Sequence, residues 1–151
     1  MNNNYSIAVE FIQDLLRTNP RVNTIIYARS ENSDIFKNTV YPMVHINPQP
    51  SPWSNEKVNQ FTFEIGALNQ RVQDNRIDES KLDGDTNVLD NHNTCYAILN
   101  DLLTQLSKDN GETIYLEEVS SIQPVFFSNF NGLDGWSCQI TLKMANKTIV
   151  C

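Results

Sequence analysis

The chain has 151 residues, enough for one domain and too short for two ordinary ones. Hydrophobic residues make up 40% and aromatics 9%, with 5 Gly and 6 Pro, a balance that excludes disordered, collagen-like and low-complexity chains. Lys and Arg total 11 against 18 Asp and Glu, and the resulting net charge of -7 and pI ≈ 4.7 exclude a strong sequence-independent grip on phosphate backbones.

Ile7, Ala8, Phe11, Ile12, Leu15 and Leu16 recur at helical spacing, which predicts an amphipathic helix over Ser6 to Leu16. Asn4 or Ser6 is placed to cap it, and Asn19-Pro20 to stop it. Val22 to Ala28 is short and rich in β-branched residues, hence a strand. A second strand is expected at Tyr41 to Ile46, with Pro42 putting its start at a sheet edge. Residues 47–54 follow as an arm, where Pro48, Pro50 and Pro52 alternate before Trp53 and fix an extended conformation poor in hydrogen bonds. Gln60 to Ala67 alternates, with Phe61, Phe63, Ile65 and Ala67 on one face, and predicts a half-buried antiparallel strand.

Asn69 to Asn87 is almost wholly polar and predicts a second arm, a long loop of the kind that is either a binding arm or disordered. Helical period returns over Val88 to Lys108, where Leu89, Cys95, Tyr96, Leu99, Leu102, Leu103 and Leu106 form an apolar stripe and Asn110-Gly111 a C-cap. Thr113 to Val119 reads as a strand that Val125-Phe126-Phe127 continues with a bend. A glycine-punctuated turn at Asn129 to Gly135 precedes the final strand, in which Trp136, Cys138, Ile140, Leu142 and Met144 alternate with polar residues. Strands in runs separated by two helices predict a single α+β domain over 1–151, a mostly antiparallel sheet with both helices packed on one face.

No stretch approaches the roughly 20 apolar residues of a membrane-spanning helix, so no membrane partner is expected. The Met1-Asn2-Asn3-Asn4 start lacks the basic and apolar regions of a secretory leader, and the expected place of folding is the cytosol. Cys95, Cys138 and Cys151 are odd in number and match neither a disulfide framework nor a zinc ribbon, so reduced thiols are expected.

Nucleophilic catalysis needs a base beside a Ser or Cys, and the chain offers only His45, in a strand among apolar neighbours, and His92, at the start of a helix. The first reads as a packed or interface histidine, the second as a solvated one. Asp78, Glu79, Asp83 and Asp85 crowd one loop, yet position 12 counted from Asp83 is Thr94 rather than Glu, so the loop fails the EF-hand pattern and reads as a solvated acidic segment. Phosphate-cradling, dinucleotide and HExxH motifs do not occur. The expectation is a protein without catalysis, metal or cofactor. Trp53 and Phe130 sit in segments too short and polar to bury them alone, and aromatics so placed are either lids on the core or anchors for a neighbouring subunit.

The segment Tyr41-Pro-Met-Val-His-Ile-Asn-Pro48, the strand Phe61-Thr-Phe-Glu-Ile65, the helix Thr94 to Leu106 and the turn Phe130-Asn-Gly-Leu-Asp-Gly-Trp136 together resemble small virion proteins of tailed phages. The nearest group is the ring or tail-completion proteins of crAss-like phages, with a tail-terminator-like fold. Where the resemblance implies an acidic residue after the central strand, this chain has Asn69.

The family implies a non-catalytic subunit of a closed neck or tail ring, in the virion after assembly in the host cytoplasm, touching portal, ring or tail proteins while double-stranded DNA passes without specific binding. Subunit contacts are then expected at Pro48, Pro50, Pro52, Trp53, Arg71, Arg76 and Phe130. The arms are expected to order only across neighbouring subunits. The competing reading is a small cytosolic adaptor that binds one protein through the same loops.

Overall fold

The computed structural model describes residues 4–27, 40–53, 57–71, 86–108, 114–128 and 132–145. Its elements run α1 (Asn4–Arg17), β1 (Thr24–Tyr27), β2 (Met43–Pro48), β3 (Val58–Gln70), α2 (Thr86–Ser107), β4 (Ile114–Val119), β5 (Gln123–Ser128) and β6 (Leu133–Ala145). The fold is α+β, a six-stranded sheet ordered β1-β2-β3-β6-β4 with β5 also on β6. All pairings are antiparallel except β1 with β2. No helix among the described residues is long and apolar enough to cross a membrane.

β3 and β6 pair without interruption from Val58↔Ala145 to Gln70↔Leu133. Both strands alternate in sequence, so one face of this ladder carries Phe63, Ile65, Ala67, Cys138, Ile140, Leu142 and Met144, all buried. Both helices cover that face. Ala8, Val9, Ile12 and Leu16 of α1 and Cys95, Ile98, Leu99, Leu102 and Leu106 of α2 join the same core, with Val44 and Ile46 of β2. The opposite face holds a smaller cluster of Met43, Leu68 and Leu133, against which Ile26, Tyr41 and Val125 pack.

Two glycines permit close approaches within the sheet. A Cβ on Gly135 would lie 1.9 Å from the Ala67 carbonyl oxygen, and one on Gly66 would lie 2.0 Å from His45 Nε2. Any other residue at either place would push a strand or the imidazole aside.

Several element boundaries differ from the sequence reading. β2 is an interior strand between β1 and β3, and Pro42 precedes it rather than marking an edge. Asn47 and Pro48 close that strand, opposite Glu64 and Phe63, so the proline arm begins at Gln49. Asn69 and Gln70 finish β3 and Thr86 and Asn87 open α2, which trims the polar loop at both ends. Leu133 to Gly135 belong to β6, and the turn before it rests on Gly132 at φ 60°, a left-handed conformation suited to glycine. Asn4 donates its amide to Ala145 O at 3.3 Å, tying α1 to the end of β6, while Ser6 lies within the helix. The strand bend is present: β4 and β5 run in succession along one side of β6, and Ser120 bridges the break by bonding Gln139 through both its amide and its hydroxyl. The C-cap at Asn110-Gly111 and Cys151 lie outside the described residues.

The stripe on α2 also shifts. Ile98 is buried in the core and Leu103 only packs against it, whereas Leu89 is 76% exposed and Tyr96 44%. Leu99→Ala should therefore cost about 2–5 kcal/mol in chemical denaturation, the range of buried leucine truncations. Leu89→Ala should stay within about 0.5 kcal/mol of the parent. Equal costs would show that α2 is rotated about its axis relative to this structure.

Candidate functional site

The end of the sheet where β6 begins is held by a polar clamp. Arg71, one residue past β3, donates from Nε to Asp134 Oδ2 at 2.8 Å and from Nη2 to Oδ1 at 2.7 Å, while its amide bonds Gly132 O at 2.8 Å. Asp134 is fully buried and Arg71 partly so, and the fork matches the carboxylate with two parallel bonds. Beside it, Asn69 Nδ2 donates to Asn91 Oδ1 at 3.0 Å and Asn91 Nδ2 donates to Gln70 O at 3.1 Å. Asn69 thus fastens the first turns of α2 to the end of β3.

This clamp fixes what α2 presents next. His92 and Tyr96 lie one helical turn apart, with Leu89 one turn before, so the three share a side of the helix. Trp136 Nε1 donates to His92 O at 2.9 Å, and Val125 O lies 3.0 Å from His92 Nε2. The His92 ring meets Phe126 edge-on at 4.5 Å and Trp136 at 5.6 Å, and Tyr96 meets Trp136 edge-on at 5.5 Å. His92 is therefore half-buried and packed, not solvated as its sequence neighbours suggest. The corner nevertheless leaves Leu89 and Phe126 exposed at 76% and 62%. Large apolar side chains grouped at one place on a surface mark a contact site for another protein.

The expected interface residues fall in different places. Pro48 lies at the end of β2, and Pro50, Pro52 and Trp53 are exposed, Trp53 at 82%. The base of the arm is anchored: Gln49 N bonds Thr62 O at 3.0 Å, and Ser51 Oγ accepts from Thr62 N at 2.9 Å. Arg71 is paired within the subunit with Asp134, its side chain 15% exposed. Arg76, Phe130 and the acidic residues at 78–85 lie outside the described residues. The aromatic corner was missed because its members come from three elements. No local signal marks it, since Leu89 reads in the sequence as a member of the core stripe and only the structure shows it exposed.

The two buried cysteines are held as thiols. Burial pushes the Cys95 thiol up to about 12 and the Cys138 thiol up to about 11, far from a reactive thiolate at neutral pH. His45 is buried on the sheet face away from the helices, its Nδ1 has no hydrogen-bond partner, and burial lowers its pKa to about 4. His45 and His92 are thus separated by the sheet and cannot serve one site. Among the described residues no group of three or more His, Cys, Asp or Glu converges. The depression between the end of α1 and α2, lined by Leu15, Asn19, Asp101 and Gln105, holds about 180 Å³. That is less than the roughly 300–1,000 Å³ of small-molecule sites.

Removing the guanidinium would take the forked pair of bonds from a fully buried carboxylate, so Arg71→Ala should cost about 3–5 kcal/mol in urea denaturation. A loss below about 1 kcal/mol, the surface ion-pair range, would show that Asp134 finds another counter-charge. For His45 the unfolded chain takes up a proton near pH 6.5 that the folded chain refuses until about pH 4. Its contribution is complete above pH 6.5 and is lost as pH falls towards 4, on the order of 3 kcal/mol across the window. His45→Gln should flatten that part of the stability-against-pH curve, and an unchanged slope would assign it to other groups. No protein-family model matches this chain, and no curated protein matches it.

Proposed function

We propose that the chain is a non-catalytic structural subunit of a closed ring, of the kind that joins head to tail in tailed phages and surrounds the DNA exit channel. The observation that carries the reading is the aromatic corner: a surface ordered by internal hydrogen bonds and apolar at its rim. Such a surface is suited to binding protein.

The strand edges offer less. β1 has only four residues, and β4 and β5 are short pieces whose pairing to β6 shifts register at Leu116/Glu118 and at Val125/Ser128. Short, bulged edges discourage strand addition, which leaves side-chain contacts as the means of assembly. A ring closed by rotation needs two different patches on each subunit, and the exposed proline arm and the aromatic corner are two such surfaces. The net charge of -7 suits a wall past which DNA slides, since like charge repels the phosphates. The sequence likeness to ring and tail-completion proteins points the same way.

The free chain should be monomeric or weakly associating in sedimentation velocity and should form closed rings in negative-stain images when an adjacent portal or ring supplies a template. The double substitution Leu89→Ser with Phe126→Ser should leave the thermal melt within a few degrees and abolish the rings. A single copy bound to a single protein molecule, with rings never seen, would favour the adaptor reading instead.

A further inference from the structure

Three prolines at alternate positions leave the arm little freedom. Proline holds its own φ near −65°, and the residue before each proline is restricted to extended conformations. Asn47 through Pro52 are all constrained in this way, so the segment is a stiff extended stretch of the polyproline type. Its base is pinned to Thr62 by Gln49 and Ser51, and Trp53 stands at its tip, 82% exposed. An indole held so far into water on a stiff support has already lost much of the entropy that binding would cost.

Extended proline segments dock on surfaces lined by aromatic rings, where the ring faces receive the proline edges and an indole or phenol donates a hydrogen bond. The corner formed by His92, Tyr96, Phe126 and Trp136 is a surface of that chemistry. The arm cannot reach it within one subunit. The arm leaves the sheet at the Thr62 row, and the corner sits at the Ala67↔Trp136 row, five residues further along β3 or about 17 Å. It also lies across β3 and β6 from β2, a further distance of about 14 Å at the usual strand spacing. β2 runs from the Leu68 row towards the Phe63 row, so the arm continues away from the corner.

We infer that the Pro50-Ser51-Pro52-Trp53 arm of one copy docks on the His92, Tyr96, Phe126 and Trp136 corner of the next copy. The inference rests on the self-assembling reading above and gives it its contact. The two surfaces lie at opposite ends of the sheet and differ in chemistry, so the contact is head-to-tail and each subunit keeps one free donor and one free acceptor. Repetition with closure makes a ring, as an isologous dimer would not.

The test uses two full-length variants, each lacking one half of the contact. Trp53→Ser keeps the corner, and Leu89→Ser with Phe126→Ser keeps the arm; all three residues are exposed, so both chains should fold, as circular dichroism and thermal melts would verify. The sequence has 2 Trp, so in Trp53→Ser the indole N–H of Trp136 gives a single nitrogen-15 resonance. Adding the unlabelled arm-bearing variant should shift that resonance, together with the amides of His92 and Tyr96, in a saturable manner. A chain carrying both sets of substitutions should shift none of them.

No shift, or shifts confined to another part of the sheet, would overturn the contact. So would rings assembled at parental yield from Trp53→Ser, an outcome that leaves the ring reading standing. Saturable shifts at the corner in a protein that never closes into rings would support the contact and remove the ring reading.

Discussion

The rest of the molecule depends on one ladder, the uninterrupted antiparallel pairing of β3 with β6 over thirteen residues each. The period of two along both strands sends Phe63, Ile65 and Ala67 to the same side as Cys138, Ile140 and Leu142, and a slip of one residue would turn every one of them to the opposite face. Close contact along its length is possible because Gly135 carries no side chain where the Ala67 carbonyl passes. The hydroxyls of Thr62 and Thr141 meet across it at 3.1 Å on the other face. Each helix then has a ready-made apolar floor, and burying its stripe there drives its docking.

The same ladder sets where polar groups can be placed. Its far end brings Asp134 to the helix-covered side, where a lone carboxylate would be costly, and Arg71 neutralises it with a forked pair of bonds. That pair, with Asn69 and Asn91, fixes the start of α2 and hence the angular position of His92 and Tyr96. The surface chemistry at the aromatic corner is in this sense a consequence of the buried chemistry behind it. Trp136 joins the two: its ring packs against the core and its N–H reaches the helix backbone.

His45 is a different kind of feature. Its ring lies over Gly66 at the centre of the face opposite the helices, and it stays neutral at physiological pH because burial disfavours the cation. Its unbonded Nδ1 costs stability, and the neutral ring fills space that Gly66 leaves open. From its strand neighbours His45 reads as a packed or interface histidine, and its burial makes it a packed one.

Periodicity alone determined both helices, the two long strands, the α+β class and most of the core, because burial on one face leaves a repeat of 3.6 or 2 that needs no knowledge of distant contacts. The proline arm was legible as well, since proline restricts the chain wherever it stands. What surrounds those elements was decided by tertiary contacts. The parallel pairing of β1 with β2, the interior place of β2, the extension of β3 through Gln70 and the exposure of Leu89 all depend on which strand or helix lies alongside, and local sequence carries no record of its neighbours. Arg71 is the clearest case: in the sequence it falls within a polar loop, while in the fold its partner is the buried Asp134, 63 positions away. The aromatic corner follows the same rule, assembled from α2, β5 and β6 only after the sheet has brought their ends together.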